Sequence, residues 1–264
     1  MKYISSAHNP TIKHIRKLAS TASYRTKQRQ TVLEGVHLCD SYLQQPEASP
    51  VLYVVSESSA DHGEVVAITQ RIQPIGVESI IVPDTLFSAI SQLDNGVGVL
   101  CVVPLPAPVD ALLLSETALL LDDVQDPGNL GTMLRTAAAA GVKQAYLSAG
   151  CAKVWSPKVL RAGMGAQFVV TTYEEADLAA VIRGATIPVL ATSLQAKKTL
   201  YEYDLNGHIA WLFGSEGRGV SPELQRLCGD NTLIIPQQSE VESLNVAAAT
   251  AVCLFEQRRQ IHAH

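Results

Sequence analysis

Long apolar runs are what this 264-residue sequence most clearly lacks. No stretch approaches the ~20 uninterrupted apolar residues of a membrane-spanning helix, and the opening MKYISSAHNPTIKHIRK has no apolar segment of the kind that directs secretion. A soluble protein of cytoplasmic type is expected. Metal-binding spacings are missing as well: the five cysteines, Cys39, Cys101, Cys151, Cys228 and Cys253, are odd in number, widely separated and never arranged as CxxC, and the seven histidines form no HExxH. Neither a disulfide framework nor a metal is expected, and His262 and His264 read as a frayed tail. Charge is also sparse, at 17% against 47% apolar residues, which excludes a disordered chain. The length suffices for one large domain or two modest ones.

The formal net charge of -5 argues against nucleic-acid binding until its distribution is considered. Residues 1–30 hold Lys2, Lys13, Arg16, Lys17, Arg25, Lys27 and Arg29 with no acid, so the other 234 residues carry 13 basic against 25 acidic groups. A basic arm of this kind favours a phosphate backbone through counterion release, although a solvated helix face has the same composition.

Apolar runs and helical periodicities alternate along the chain. Residues 1–104 read as a small α/β domain, and 111–264 read as a second, mostly parallel α/β domain with helices on both faces. Between them Pro104, Pro106 and Pro108 mark a linker over 104–110. In the second half, strands are expected at 118–121, 144–147, 168–170, 188–190, 209–213 and 233–235. Helices are expected from Leu130, at 157–163 and 175–183, and at the C-terminus.

Ligands of parallel sheets sit beyond the carboxyl ends of strands, and three strand-to-helix junctions there are unusual. In the first, DDVQDPGNLGTMLR, Pro127-Gly128 makes a tight turn and Asn129 is a candidate helix N-cap. Arg135 lies off the apolar stripe of Leu130, Met133, Leu134 and Ala137, as a surface arginine or one that meets a ligand. In the second, FGSEGRGVSPE, three glycines within six residues let a ligand approach the backbone, and the central Glu216 suits a neutral or cationic ligand better than a pyrophosphate. In the third, IIPQQSEVESLNV, Ser243 is the expected cap of a helix with the stripe Leu244, Ala247, Ala248, Ala251, Val252 and Phe255. The small residues there suit close packing, including packing between subunits. Asn245 on the first turn can offer its amide to a ligand or simply cap.

In this order DPGNLGTMLRTA, LFGSEGRGVS and IIPQQSEVESLNVAAA resemble the three motifs of the SpoU/TrmH family of RNA 2′-O-ribose methyltransferases, within the SPOUT superfamily. The resemblance covers about 118–258, and ISSAHNPTIKHIRKL with VLEGVHL resembles the RNA-binding substrate domain that precedes catalytic domains of ribosomal-RNA members. It implies a deep trefoil knot, S-adenosylmethionine as methyl donor, a homodimer, and RNA, most simply ribosomal RNA, as partner. Carried onto this sequence, it implies Asn129, Arg135, Glu216, Ser243 and Asn245 as the catalytic set, and Gly214, Ile235 and Leu244 as donor-binding residues. Two departures are Gln237-Gln238-Ser239 where the family has Met-x-Gly, and Ala247 where a serine often follows SLNV. An arginine is a poor general base, so Arg135 is expected to align the ribose hydroxyl and stabilise its developing charge.

Transfer RNA is an alternative substrate. A nucleotide-binding metabolic enzyme is disfavoured by the absence of GxGxxG and GxxxxGK. A non-catalytic RNA-binding protein is disfavoured by the joint presence of the five polar residues.

Overall fold

The structure is a computed structural model and describes residues 1–93, 96–107, 114–238 and 243–262. Of the features above, residues 108–110 of the expected linker, the first positions of the expected second domain at 111–113, Ser239 and His264 lie outside the described residues. The chain divides into two compact units, one of Met1–Ala107 with Trp155–Phe168, the other of Pro108–Val154 with Val169–His264.

The first unit runs β1 (Lys2–Tyr3), α1 (Pro10–Ser20), α2 (Ala22–Gln28), β2 (Gln30–Glu34), α3 (Val36–Leu43), β3 (Leu52–Ser56), α4 (Gly63–Ile72), β4 (Glu78–Val82), α5 (Asp84–Ser88) and β5 (Val99–Pro104). Its sheet has the order β1-β4-β3-β5-β2, with β1, β4 and β3 parallel and β5 antiparallel to both its neighbours. Strand side chains alternate between faces: Val54 and Leu100 pack with Ile12, Ile15 and Leu18 of α1, while Tyr53, Val55 and Cys101 pack with Leu38 and Ile68.

The basic N-terminus is therefore not an arm. Asn9 caps α1 by accepting from Thr11 N at 2.8 Å, and Ile12, Ile15 and Leu18 are fully buried while Lys13, Arg16 and Lys17 are exposed. Arg25 is buried and donates to the Leu18 carbonyl at 2.7 Å, so one of the seven charges is structural.

The second unit holds β6 (Ala118–Leu121), α6 (Pro127–Ala139) and β7 (Gln144–Leu147). The chain then leaves it for α7 (Pro157–Gly163), which belongs to the first unit. There Thr31 Oγ1 donates to the Trp155 carbonyl at 2.8 Å, Leu160 enters the core beside Leu33, and Arg161 Nη1 lies 3.8 Å from the buried Glu34 carboxylate. The chain returns as β8 (Thr171–Tyr173), α8 (Leu178–Arg183), β9 (Val189–Thr192), β10 (Lys198–Thr199), β11 (Ala210–Phe213), α9 (Pro222–Cys228), β12 (Thr232–Ile234) and α10 (Val246–His262).

The sheet order is β10-β12-β9-β11-β6-β7-β8, and every pairing is parallel. Ala118, Leu120 and Leu212 pack with Leu178 of α8 and Leu224 of α9. On the opposite parity, Trp211 Nε1 donates to Gln257 Oε1 of α10 at 2.7 Å, and Arg258 of α10 donates to the Ala140 carbonyl just past α6 at 3.1 Å. Helices thus cover both faces, as the continuous apolar strands predict.

Two sequence expectations move. The apolar run 168–170 is not a strand: Ala166–Phe168 is a 3₁₀ turn in which Phe168 packs against Tyr42 and Trp155, and the strand begins at Thr171. The helix expected from 175 starts at Leu178, because Glu175 is left-handed at φ 59° and Asp177 caps the helix through Ala180 N.

Candidate active site

Parallel pairing brings the carboxyl ends of β9, β11 and β12 together, and beyond them lies a cavity of about 640 Å³. Its walls come from Thr192 at the end of β9 and Ser193–Gln195 beyond it, Gly214–Val220 after β11, and Ile235, Gln237, Ser243 and Leu244 after β12. Of the eight residues singled out in the sequence, Gly214, Glu216, Ile235, Ser243 and Leu244 line it. The loop after β9 was missed because it has no glycine or proline signature; only the neighbour order of the strands brings it here.

The glycine loop is closed on itself. Gly219 N donates to the Ser215 carbonyl at 2.8 Å, and Gly219 sits at φ 67°, which favours glycine. A Cβ on Gly214 would lie 1.9 Å from the Gly219 carbonyl carbon, so the loop's own backbone leaves no room for a side chain there. The ring holds Glu216, Gly217 and Arg218 exposed at its tip.

Two expected caps are reassigned. Asp126, not Asn129, caps α6, accepting from Asn129 N at 2.7 Å with Pro127 at the first helical position. Asn245, not Ser243, caps α10, its Oδ1 accepting from Ala247 N at 2.9 Å and Ala248 N at 3.3 Å. The α10 stripe shifts accordingly: Val246, Ala247, Thr250, Cys253, Leu254 and Gln257 are buried, whereas Ala248 and Phe255 face outward.

The reassignment frees Asn129 for a relay. Asn245 Nδ2 donates to Asn129 Oδ1 at 2.9 Å, and Asn129 Nδ2 donates to Glu216 Oε1 at 2.6 Å. Its direction is forced. The α10 amides can only donate, which fixes Asn245 Oδ1 as acceptor and turns its Nδ2 to Asn129; the Glu216 carboxylate receives the last bond. The first turn of α6, the glycine loop and the cap of α10 are joined in this way, and among the described residues Asn129 keeps one N–H and one lone pair for a further partner.

Arg135 stands apart, exposed on α6 with no hydrogen bond or ion pair among the described residues. Two carboxylates that sequence reasoning passed over also build the site: Asp122 accepts from Ser221 N at 2.8 Å, and Asp123 pairs with Arg218. Nearby, burial raises the Cys151 thiol pKa. No cluster of metal-ligating side chains occurs among the described residues, and no described helix is long and apolar enough to cross a membrane.

Residues 116–255 match the SpoU rRNA Methylase family and residues 9–101 match the MRM3-like substrate binding domain. An uncharacterized tRNA/rRNA methyltransferase of Synechocystis is 34% identical over 97% of this chain and 93% of its own length. The 23S rRNA (guanosine(2553)-2′-O)-methyltransferase RlmP of Bacillus subtilis is 31% identical over 98% and 100%. Among solved structures, two of an rRNA methyltransferase from Sinorhizobium meliloti, one of them AdoMet bound, superpose with a TM-score of 0.84 at 29% identity over 98% of each chain. With the parallel sheet, the closed glycine loop and this length of continuous similarity, the chain belongs to the SpoU rRNA methylase family.

Proposed function

We propose that this protein transfers a methyl group from S-adenosylmethionine to a ribose 2′-hydroxyl of ribosomal RNA. The observation that carries the reading is the Asn245–Asn129–Glu216 relay, which sets three polar side chains from three segments of the chain beside a cavity of about 640 Å³, well within the range of small-ligand sites. The donor set fits the cofactor: Gly214, Ile235 and Leu244 offer backbone groups and apolar surface, and Glu216 suits a cationic sulfonium. When bound, that group supplies an electrophilic methyl.

The remaining chemistry belongs to the chain. Arg135, free of other partners among the described residues, aligns the ribose hydroxyl and stabilises the charge that develops on its oxygen, while the proton leaves to water or phosphate. Asn129 orients the ribose with its unused hydrogen-bonding capacity, and Ser243 lines the donor side. The substrate RNA is held through the exposed charges of α1.

The active form is a homodimer with a knotted catalytic domain, in which the outward side of α10, where Phe255 is 49% exposed, meets a second copy. The test is calorimetry with S-adenosylmethionine, together with mapping of 2′-O-methylation in ribosomal and transfer RNA from a deletion strain. Donor binding and loss of one ribosomal mark are expected; loss of a transfer-RNA mark alone would overturn the choice of substrate.

A further inference from the structure

The tip of the glycine loop carries two charges, and the relay uses only Glu216. Two residues on, Arg218 Nη2 forms an ion pair with Asp123 Oδ2, 95 positions earlier in the chain, in the loop that leads into α6. Glu216 and Arg218 thus hold the same stretch at two points, Asn129 and Asp123.

Asp123 is built for this contact. It adopts left-handed backbone, at φ 63°, a conformation that Asp tolerates better than most side chains. Its amide donates to Ser148 Oγ at 2.9 Å, and its carboxylate occupies the space that a side chain at position 150 would need: a Cβ on Gly150 would lie 1.5 Å from Asp123 Oδ1. Arg218, by contrast, is 75% exposed, and such pairs add little to global stability. A closely fitted acceptor serving a pair of small energetic worth points to positioning.

We propose that Arg218 is a positioning residue, whose bond to Asp123 fixes the tip of the glycine loop against the entry to α6 so that Glu216 meets Asn129 in register. The pair couples the donor side of the site to the acceptor side, and it rests on the methyltransferase reading only for its effect on rate. Removing either partner lets the tip drift; Arg218 itself lines the cavity, whereas Asp123→Asn leaves every lining side chain in place. Asn tolerates left-handed backbone as Asp does, so Asp123→Asn removes the charge without the conformation.

The experiment compares wild type, Arg218→Ala, Arg218→Lys, Asp123→Asn and the Arg218→Ala/Asp123→Asn double variant by hydrogen exchange, single-turnover methyl transfer and RNA affinity. Each single variant should accelerate exchange of the Gly219 amide and slow transfer about tenfold, with RNA affinity unchanged. The double variant should be no slower than either single, because both break one interaction, and lysine should restore part of the rate. Losses that multiply in the double variant, or an unchanged Gly219 amide, would overturn the proposal. So would weaker RNA binding in Arg218→Ala with an intact rate, which would make Arg218 a phosphate contact. Hydrogen exchange needs no substrate, so a wild type that transfers no methyl group would count against the proposed function and leave this test standing.

Discussion

Asp126 caps α6 and thereby leaves the Asn129 side chain to the relay with Asn245 and Glu216, so a substitution at 129 should act on chemistry more than on the start of the helix. Asn129→Ala is expected to lower single-turnover transfer on the order of a hundredfold with donor affinity nearly unchanged. Arg135→Ala should cost on the order of a hundredfold to a thousandfold in the same assay, and Arg135→Lys should recover little, because the planar fork and not the charge alone sets the hydroxyl. Near-normal turnover in the alanine variant would leave Arg135 a surface residue. Gly214 behaves differently. With the Gly219 carbonyl carbon 1.9 Å from the position of a Cβ, Gly214→Ala should destabilise the fold by roughly 2–4 kcal/mol, read as an earlier denaturant midpoint, along with any loss of donor binding.

Helix α1 separates core from charge on opposite faces, so its two roles can be tested apart. Replacing Lys13, Arg16 and Lys17 with Gln should leave stability within about 0.5 kcal/mol. The same change should weaken RNA binding across sequences and reduce the salt slope by up to about 0.9 for every phosphate no longer neutralised. Deleting residues 1–30 removes Ile12, Ile15 and Leu18 and should unfold the first unit instead. In α10, bonds from Arg259 and Gln260 hold the Glu256 carboxyl down at about 2, below its ordinary 4.5. A depressed acid stabilises the fold above the ordinary value and loses that contribution as pH falls toward 2; Glu256→Gln should flatten acid unfolding between pH 4.5 and 2. Elements of this kind were legible where local pattern decides: strand 118–121 and helix 157–163 follow from apolar runs and caps. The caps of α6 and α10 were misread because Asp126 and Asn129, or Ser243 and Asn245, are equally good capping types, and only the fold chooses between them.

At the scale of the whole molecule, the loop after β9 entered the site through strand order, which local pattern does not encode; the three motif loops were legible because their residues are chemically unusual. If the outward side of α10 joins two copies, Phe255→Glu should shift the protein to monomer in sedimentation velocity and lower methyl transfer, while a single copy keeps its fold because its own core uses Cys253 and Leu254. The passage of Trp155–Phe168 into the first unit carries a different kind of consequence. A gene cut at the proline-rich stretch would not yield two self-sufficient proteins. The upstream product would be missing Leu160, and the downstream one would display Trp155, Leu160 and Phe168 to water as a sticky strip. Exchange of the first unit for another would therefore require a matching change in the Trp155–Phe168 segment, which lies between β7 and β8 of the second.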